Sequence, residues 1–194
     1  MHIVKVKKIF QTLENRGTDI AKLQEEGPFP CKWDNTWLGD GYYFWDTLIE
    51  NAHWWGEVRQ FEKGYIICRA ECDYNINDCL DLHGDLEQLK LFKEAFELMI
   101  KNGVVTKNTT VKNFLAKLRG QSIFFKKFTA IRVNGINSKS YNSIYSAKFF
   151  FEKGKDRYLE MNPPVQICFF EKNSMNLRNY KVVFPEYLID GYVV

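Results

Sequence analysis

The chain has 194 residues, of which 45% are hydrophobic and 16% aromatic, and its formal net charge is +3. That composition excludes a disordered or fibrous chain, and the length allows one well-buried domain. No run of about 18 apolar residues occurs, so no segment reads as a membrane span.

Residues 1–10 alternate apolar and charged side chains from Ile3 to Phe10. This predicts a first strand and no signal peptide, with a cytoplasmic location as the expectation. Asp19 to Glu26 predicts a short helix that stops at Gly27, ahead of Pro28 and Pro30. Tyr42 to Trp45 predicts a short aromatic strand after Gly39-Asp40-Gly41. Asp46 or Thr47 then caps a helix to about Arg59, and Gly64 to Asp73 forms the next strand. From Asp85 to Ile100, Leu86, Leu89, Phe92, Ala95, Phe96 and Met99 recur at spacings of three and four, which predicts an amphipathic helix. Gly103 ends it, and Thr109 or Thr110 starts another helix through about Arg119. Beyond Gln121 the pattern turns to strands, at Ile123 to Val133, Ser146 to Phe151, Val165 to Glu171 and Lys181 to Phe184, with long connections at 134–145 and 152–164. The expectation is one α+β domain over 1–194 with a helical insertion at about 84–119.

The five cysteines, at 31, 68, 72, 79 and 168, are odd in number and expected to be reduced thiols. Cys68, Cys72, Cys79 and His83 do not read as a zinc site. Four residues along a strand span about 13 Å, too far for tetrahedral bonds of about 2.3 Å, so no metal is expected. Residues 101–157 are rich in Lys and Arg and poor in acids. Such a half of the chain suits an anionic partner or an ordinary solvated surface. Phe124, Phe125, Phe128 and Tyr141 lie among those cations, which slightly favours RNA or DNA over protein as a macromolecular partner.

The chemically informative stretch is Leu38-Gly39-Asp40-Gly41-Tyr42-Tyr43-Phe44-Trp45-Asp46, followed by Asn51-Ala52-His53-Trp54-Trp55. Two glycines one residue apart let the backbone turn sharply and lie close to a flat ligand. The following strand and helix supply aromatics that either stack on such a ring or pack as core. Gly39, Gly41, Tyr43, Phe44, Asp46, Ala52 and Trp54 resemble, at the same spacing, the nicotinamide-pocket motif of the ADP-ribosyltransferases of the diphtheria-toxin-like and poly(ADP-ribose) polymerase-like type.

That resemblance implies two small antiparallel sheets around a cleft for NAD as co-substrate. Tyr43 and Trp54 would sandwich the nicotinamide ring, beside Gly41. The family's ribose-binding His turn falls on Ile9-Phe10-Gln11-Thr12, which puts Gln11 and Thr12 on the cofactor. The family's catalytic Glu falls on Gln166 of Val165-Gln166-Ile167-Cys168-Phe169. Catalytic roles would rest on Gln11, Tyr43 and Gln166. An amide at 166 can hydrogen-bond ribose hydroxyls but cannot offset positive charge at the anomeric carbon, so chain elongation is not expected. Glu160 is a second source of a carboxylate, and the loop 152–164 is where the family selects its acceptor. The implied activity is mono-ADP-ribosyl transfer, in a small effector similar to bacterial toxins with antitoxin partners or to phage-defence proteins. NAD glycohydrolysis and a non-catalytic module that binds NAD, ADP-ribose or a partner stay open.

Overall fold

The computed structural model describes residues 4–59, 61–135 and 144–189. Strands β1 (Lys5–Glu14) and β3 (Tyr65–Tyr74) pair antiparallel along their whole length. Between them the chain places α1 (Ile20–Glu26), β2 (Tyr42–Asp46) and α2 (Ile49–Arg59). There follow β4 (Cys79–Asp81), α3 (Leu86–Lys101), α4 (Val111–Gln121), α5 (Ile123–Lys126) and β5 (Ala130–Asn134). The chain ends with β6 (Lys148–Phe150), β7 (Tyr158–Glu160), β8 (Val165–Phe169) and β9 (Arg178–Phe184).

The fold is α+β, as expected. Seven strands make one mixed sheet in the order β4-β5-β8-β2-β1-β3-β9, with β4 and β5 parallel, and β6 and β7 form a separate ribbon. Two small antiparallel sheets were expected, whereas the large sheet has two parts joined by a short seam. Strands β1 and β2 pair only at Ile9 with Asp46 and at Phe10 with Trp45.

The helices start where side-chain oxygens meet the first free backbone N–H groups. Asp19 accepts from Lys22 N, Asp85 from Glu87 N and Gln88 N, and Thr110 from Asn113 N. The expected helical insertion is present as α3 and α4. The strand predicted from Ile123 begins instead as α5, and only Ala130–Asn134 is extended. Ser122 closes α4 and accepts from Phe125 N, which restarts a helical turn. Phe125 and Phe128 are then buried three residues apart while Phe124 is exposed, a helical spacing. The connection at 152–164 also holds an unforeseen strand, β7, and Tyr141 lies outside the described residues.

Period two along β2 divides the core. Phe44 belongs with Ile9, Ile167, Phe169, Tyr180 and Leu23 of α1 on one face. On the other face, Tyr43 packs with Leu38, Cys168, Leu115 and Leu118, and Trp45 packs with Phe10, Ala52 and Trp54.

Candidate functional site

Beyond Phe10 and Trp45 the two halves of the sheet part, β1 staying with β3 and β2 with β8. The chain's own residues 29–31 enter the gap. Cys31 pairs with Gly41 through two backbone bonds of 2.7 and 3.2 Å. Gln11 clasps the Phe29 backbone, its Nε2 donating to Phe29 O at 2.8 Å and its Oε1 accepting from Phe29 N at 3.1 Å. Its Oε1 also accepts from the Tyr180 hydroxyl at 2.7 Å, and its Nε2 lies 3.4 Å from Tyr43 O. The Gln11 amide is thus buried and engaged at both ends.

Gln11 stands opposite Cys68, on the face of α1 and Tyr180. Thr12, Tyr43 and Gln166 occupy the other face, where Tyr43 is opposite Cys168 and Trp45 opposite Gln166. The structure therefore brings the three motif strands side by side as β8-β2-β1 but puts Gln11 behind the sheet.

On the Tyr43 face a strap of residues 37–39 crosses the candidate site. The Tyr43 hydroxyl accepts from Leu38 N at 3.1 Å and donates to Gly39 O at 2.7 Å. Burial is the largest influence on that hydroxyl and holds its pKa above the usual phenol range, so it stays neutral. Trp37 Nε1 donates to Gln166 Oε1 at 3.1 Å. Gly39 supplies φ of 96° at the turn. At Gly41 an added Cβ would lie 2.6 Å from both Cys168 Sγ and Phe169 O, so only glycine lets these backbones meet. The Cys168 thiol beneath, pushed up to about 12 chiefly by burial, is protonated at neutral pH and is no nucleophile.

Trp54 is buried on α2 and packs edge-on against Trp45, with ring centroids 5.8 Å apart. Trp45 shares the face of Tyr43 two residues along, so the ring that meets Trp54 is the chain's own indole. Thr12 Oγ1 donates to Ala52 O at 2.9 Å and ties β1 to α2. Glu160 closes the base of the ribbon, accepting from Ser146 Oγ, Ala147 N and Asn162 N. His53 faces the other way, 3.1 Å from the Tyr65 hydroxyl and edge-on to Phe184.

Sequence reasoning missed the charged cluster at the closed end of the seam. Asp46, expected as a helix cap, receives Lys7 Nζ at 2.8 Å and Arg132 Nε at 2.6 Å. Arg132 continues to Asp81 at 3.0 Å, and the Tyr74 hydroxyl donates to Asp81 at 2.5 Å. The helix begins later, at Ile49, after Thr47 takes φ of 66° with its hydroxyl on Asp46. Burial raises the pKa of both carboxyls, but hydrogen bonds and the neighbouring cations outweigh it and hold them below the usual carboxylate range. The signal in the sequence was an Asp at the end of an apolar strand, without any sign of its partners 39 and 86 residues away.

Comparisons with protein-family models, curated proteins and solved structures give no match for this chain. Among the described residues no helix is long and apolar enough to cross a membrane. A groove of about 520 Å³ lies on the outer side of the strap, lined by Lys32, Trp33, Gly39, Lys112, Arg119 and Phe170 among others. Such a volume is within the usual range for small-ligand sites, roughly 300–1,000 Å³.

Proposed function

We propose that the chain is an NAD-dependent mono-ADP-ribosyltransferase that modifies a macromolecule. The observation that carries this reading is the strand order β8-β2-β1, which sets three motifs far apart in sequence beside one another. The strap supports it as well, because residues 37–39 are held over Tyr43 and Gln166 by neutral hydrogen bonds that a ligand can replace. In this reading the donor lies on the face shared by Tyr43 and Gln166, beneath the strap of residues 37–39. Tyr43 stacks on the nicotinamide and Gln166 holds ribose hydroxyls, while Thr12 takes the polar role on β1 that Gln11 cannot reach. Nicotinamide leaves first and the acceptor attacks afterwards. Strap opening precedes binding, because Trp37 and Leu38 occupy the hydrogen-bonding groups of Gln166 and Tyr43.

A second reading, donor binding without transfer, is favoured by a separate observation. Gln166 is neutral, and Trp45 stands where Trp54 was expected to face a ligand ring. The test is nicotinamide release from NAD in cell lysate treated with RNase, DNase or protease, comparing the wild type with Tyr43→Ala. Release that depends on Tyr43 and stops with one treatment supports transfer and names the acceptor class. Release that persists through all treatments indicates hydrolysis. No release, together with saturable NAD binding by calorimetry, leaves the second reading.

A further inference from the structure

From Leu98 to Phe151 the sequence contains no Asp or Glu and ten Lys or Arg. Lys107, Lys117, Lys126 and Lys127 in this stretch are exposed, and none of them forms an ion pair among the described residues. By contrast, α3 just before it carries Lys90 and Lys93 paired with Glu94 and Glu97. A surface that neutralises its cations on one helix and leaves them open on the next has an uneven field.

Within the same stretch, α4 lines a concave site with cations of its own. Lys112, Leu115, Ala116 and Arg119 line the 520 Å³ groove from one stripe of α4, at the helical spacings of three and four. Lys112 and Arg119 are two turns apart, about 10 Å along the axis. Lys112 Nζ reaches across to Asp34 O at 3.2 Å, and Lys32 adds a third cation from the facing loop. Flat surfaces accompany the charges. Trp33 keeps 45% of its surface exposed with the Arg59 guanidinium 4.7 Å from its ring, and Arg119 lies 3.8 Å over Phe170. Arg119 Nε has no hydrogen-bond partner there.

We propose that this groove binds single-stranded nucleic acid, with the sugar-phosphate backbone along Lys112 and Arg119 and an unpaired base against Trp33. Cations in a row with an exposed indole suit a strand whose bases are free to stack, whereas a duplex hides those faces. The carboxylates of Asp34 and Asp40, also in the lining, accept from base amines or sugar hydroxyls. The groove backs onto Gly39, whose carbonyl holds the Tyr43 hydroxyl, so a bound strand lies against the strap over the proposed donor site. The inference deepens the transferase reading by naming its acceptor, but the binding itself needs no NAD.

The experiment is fluorescence polarisation with labelled single-stranded oligouridylate, oligothymidylate and a duplex of mixed sequence, at low and physiological ionic strength, without NAD. The expected result is tighter binding of the single strands than of the duplex. Trp33→Ala with Lys112→Glu weakens it about tenfold or more, and Lys112→Ala alone lowers the salt slope by about one. Lys90→Glu on α3 is the charge-matched control and leaves binding unchanged. Equal loss in the control would reduce the groove to general charge and overturn the proposal, as would wild type that binds no single strand or prefers the duplex. Trp33 and Lys112 are at the surface, so thermal melts of the variants should match wild type. Because nicotinamide release is measured separately, loss of either reading leaves the other standing.

Discussion

The two ends of the β1–β2 seam use opposite chemistry. At the closed end, charges from β1, β2, β4 and β5 converge as Lys7, Asp46, Asp81 and Arg132, all buried or nearly so. At the open end β1 and β2 are held instead by neutral amides and hydroxyls, Gln11 bonding Phe29 and the Tyr180 hydroxyl of β9, and Tyr43 bonding Gly39. A buried ion pair is intolerant of a lost partner, and it fixes strand register well. Neutral hydrogen bonds are each worth about 1 kcal/mol net and can be exchanged for those of a ligand. The closed end therefore acts as a hinge pin and the open end as the part able to yield.

The largest expected effect comes from breaking the pin. Asp46→Asn leaves Lys7 and Arg132 facing a neutral amide and should destabilise the protein by about 3–5 kcal/mol, read by urea denaturation at neutral pH. The same cluster predicts an acid limb. Asp46 and Asp81 have pKa values depressed in the folded state, so their contribution is fully present above the unfolded carboxylate value of about 3.9. It is lost as pH falls through the lower folded values. Denaturation midpoints should drop steeply below about pH 4 in wild type and less steeply in Asp46→Asn. Parallel slopes in the two proteins would show that the pin is not what titrates.

Gln11→Ala acts on the open end and should cost about 1–3 kcal/mol, since Phe29 N and the Tyr180 hydroxyl lose a buried partner. The comparison sharpens if Gln11→Ala leaves Tyr43-dependent nicotinamide release intact. Gln11 then serves only to hold residues 29–31 in the gap, as its place behind the sheet implies.

The parts legible in the sequence were those decided locally. Asp19, Asp85 and Thr110 announced helices because a cap and the helical spacing that follows it lie within one short window. The turn at Gly39 and Gly41 was legible because backbone geometry there leaves little choice of residue. Strand β4 was not, since three residues carry no alternation to detect. The seam cluster was hidden for another reason. Its four charges look like ordinary surface residues until the sheet order brings residues 7, 46, 81 and 132 together. Period two was available for Gln11 and Thr12, and it already placed them on opposite faces. Which face was which depended on pairing with β3, and no local pattern states that pairing.

The smallest expected effect tests the strap itself. In Tyr43→Phe the ring still packs against Cys168 and Leu38, but Leu38 N loses its acceptor and Gly39 O its donor. The cost should be about 1–2 kcal/mol, the net value of two such hydrogen bonds. If residues 37–39 open as a local unit, that cost falls on the strap alone. Amide exchange at Leu38 should then quicken about five- to thirtyfold, with no matching change at the buried Ile67 of β3. Equal acceleration at both sites would mean that the strap and the sheet open together. The open end would then be as rigid as the closed one, and the contrast between them would fail.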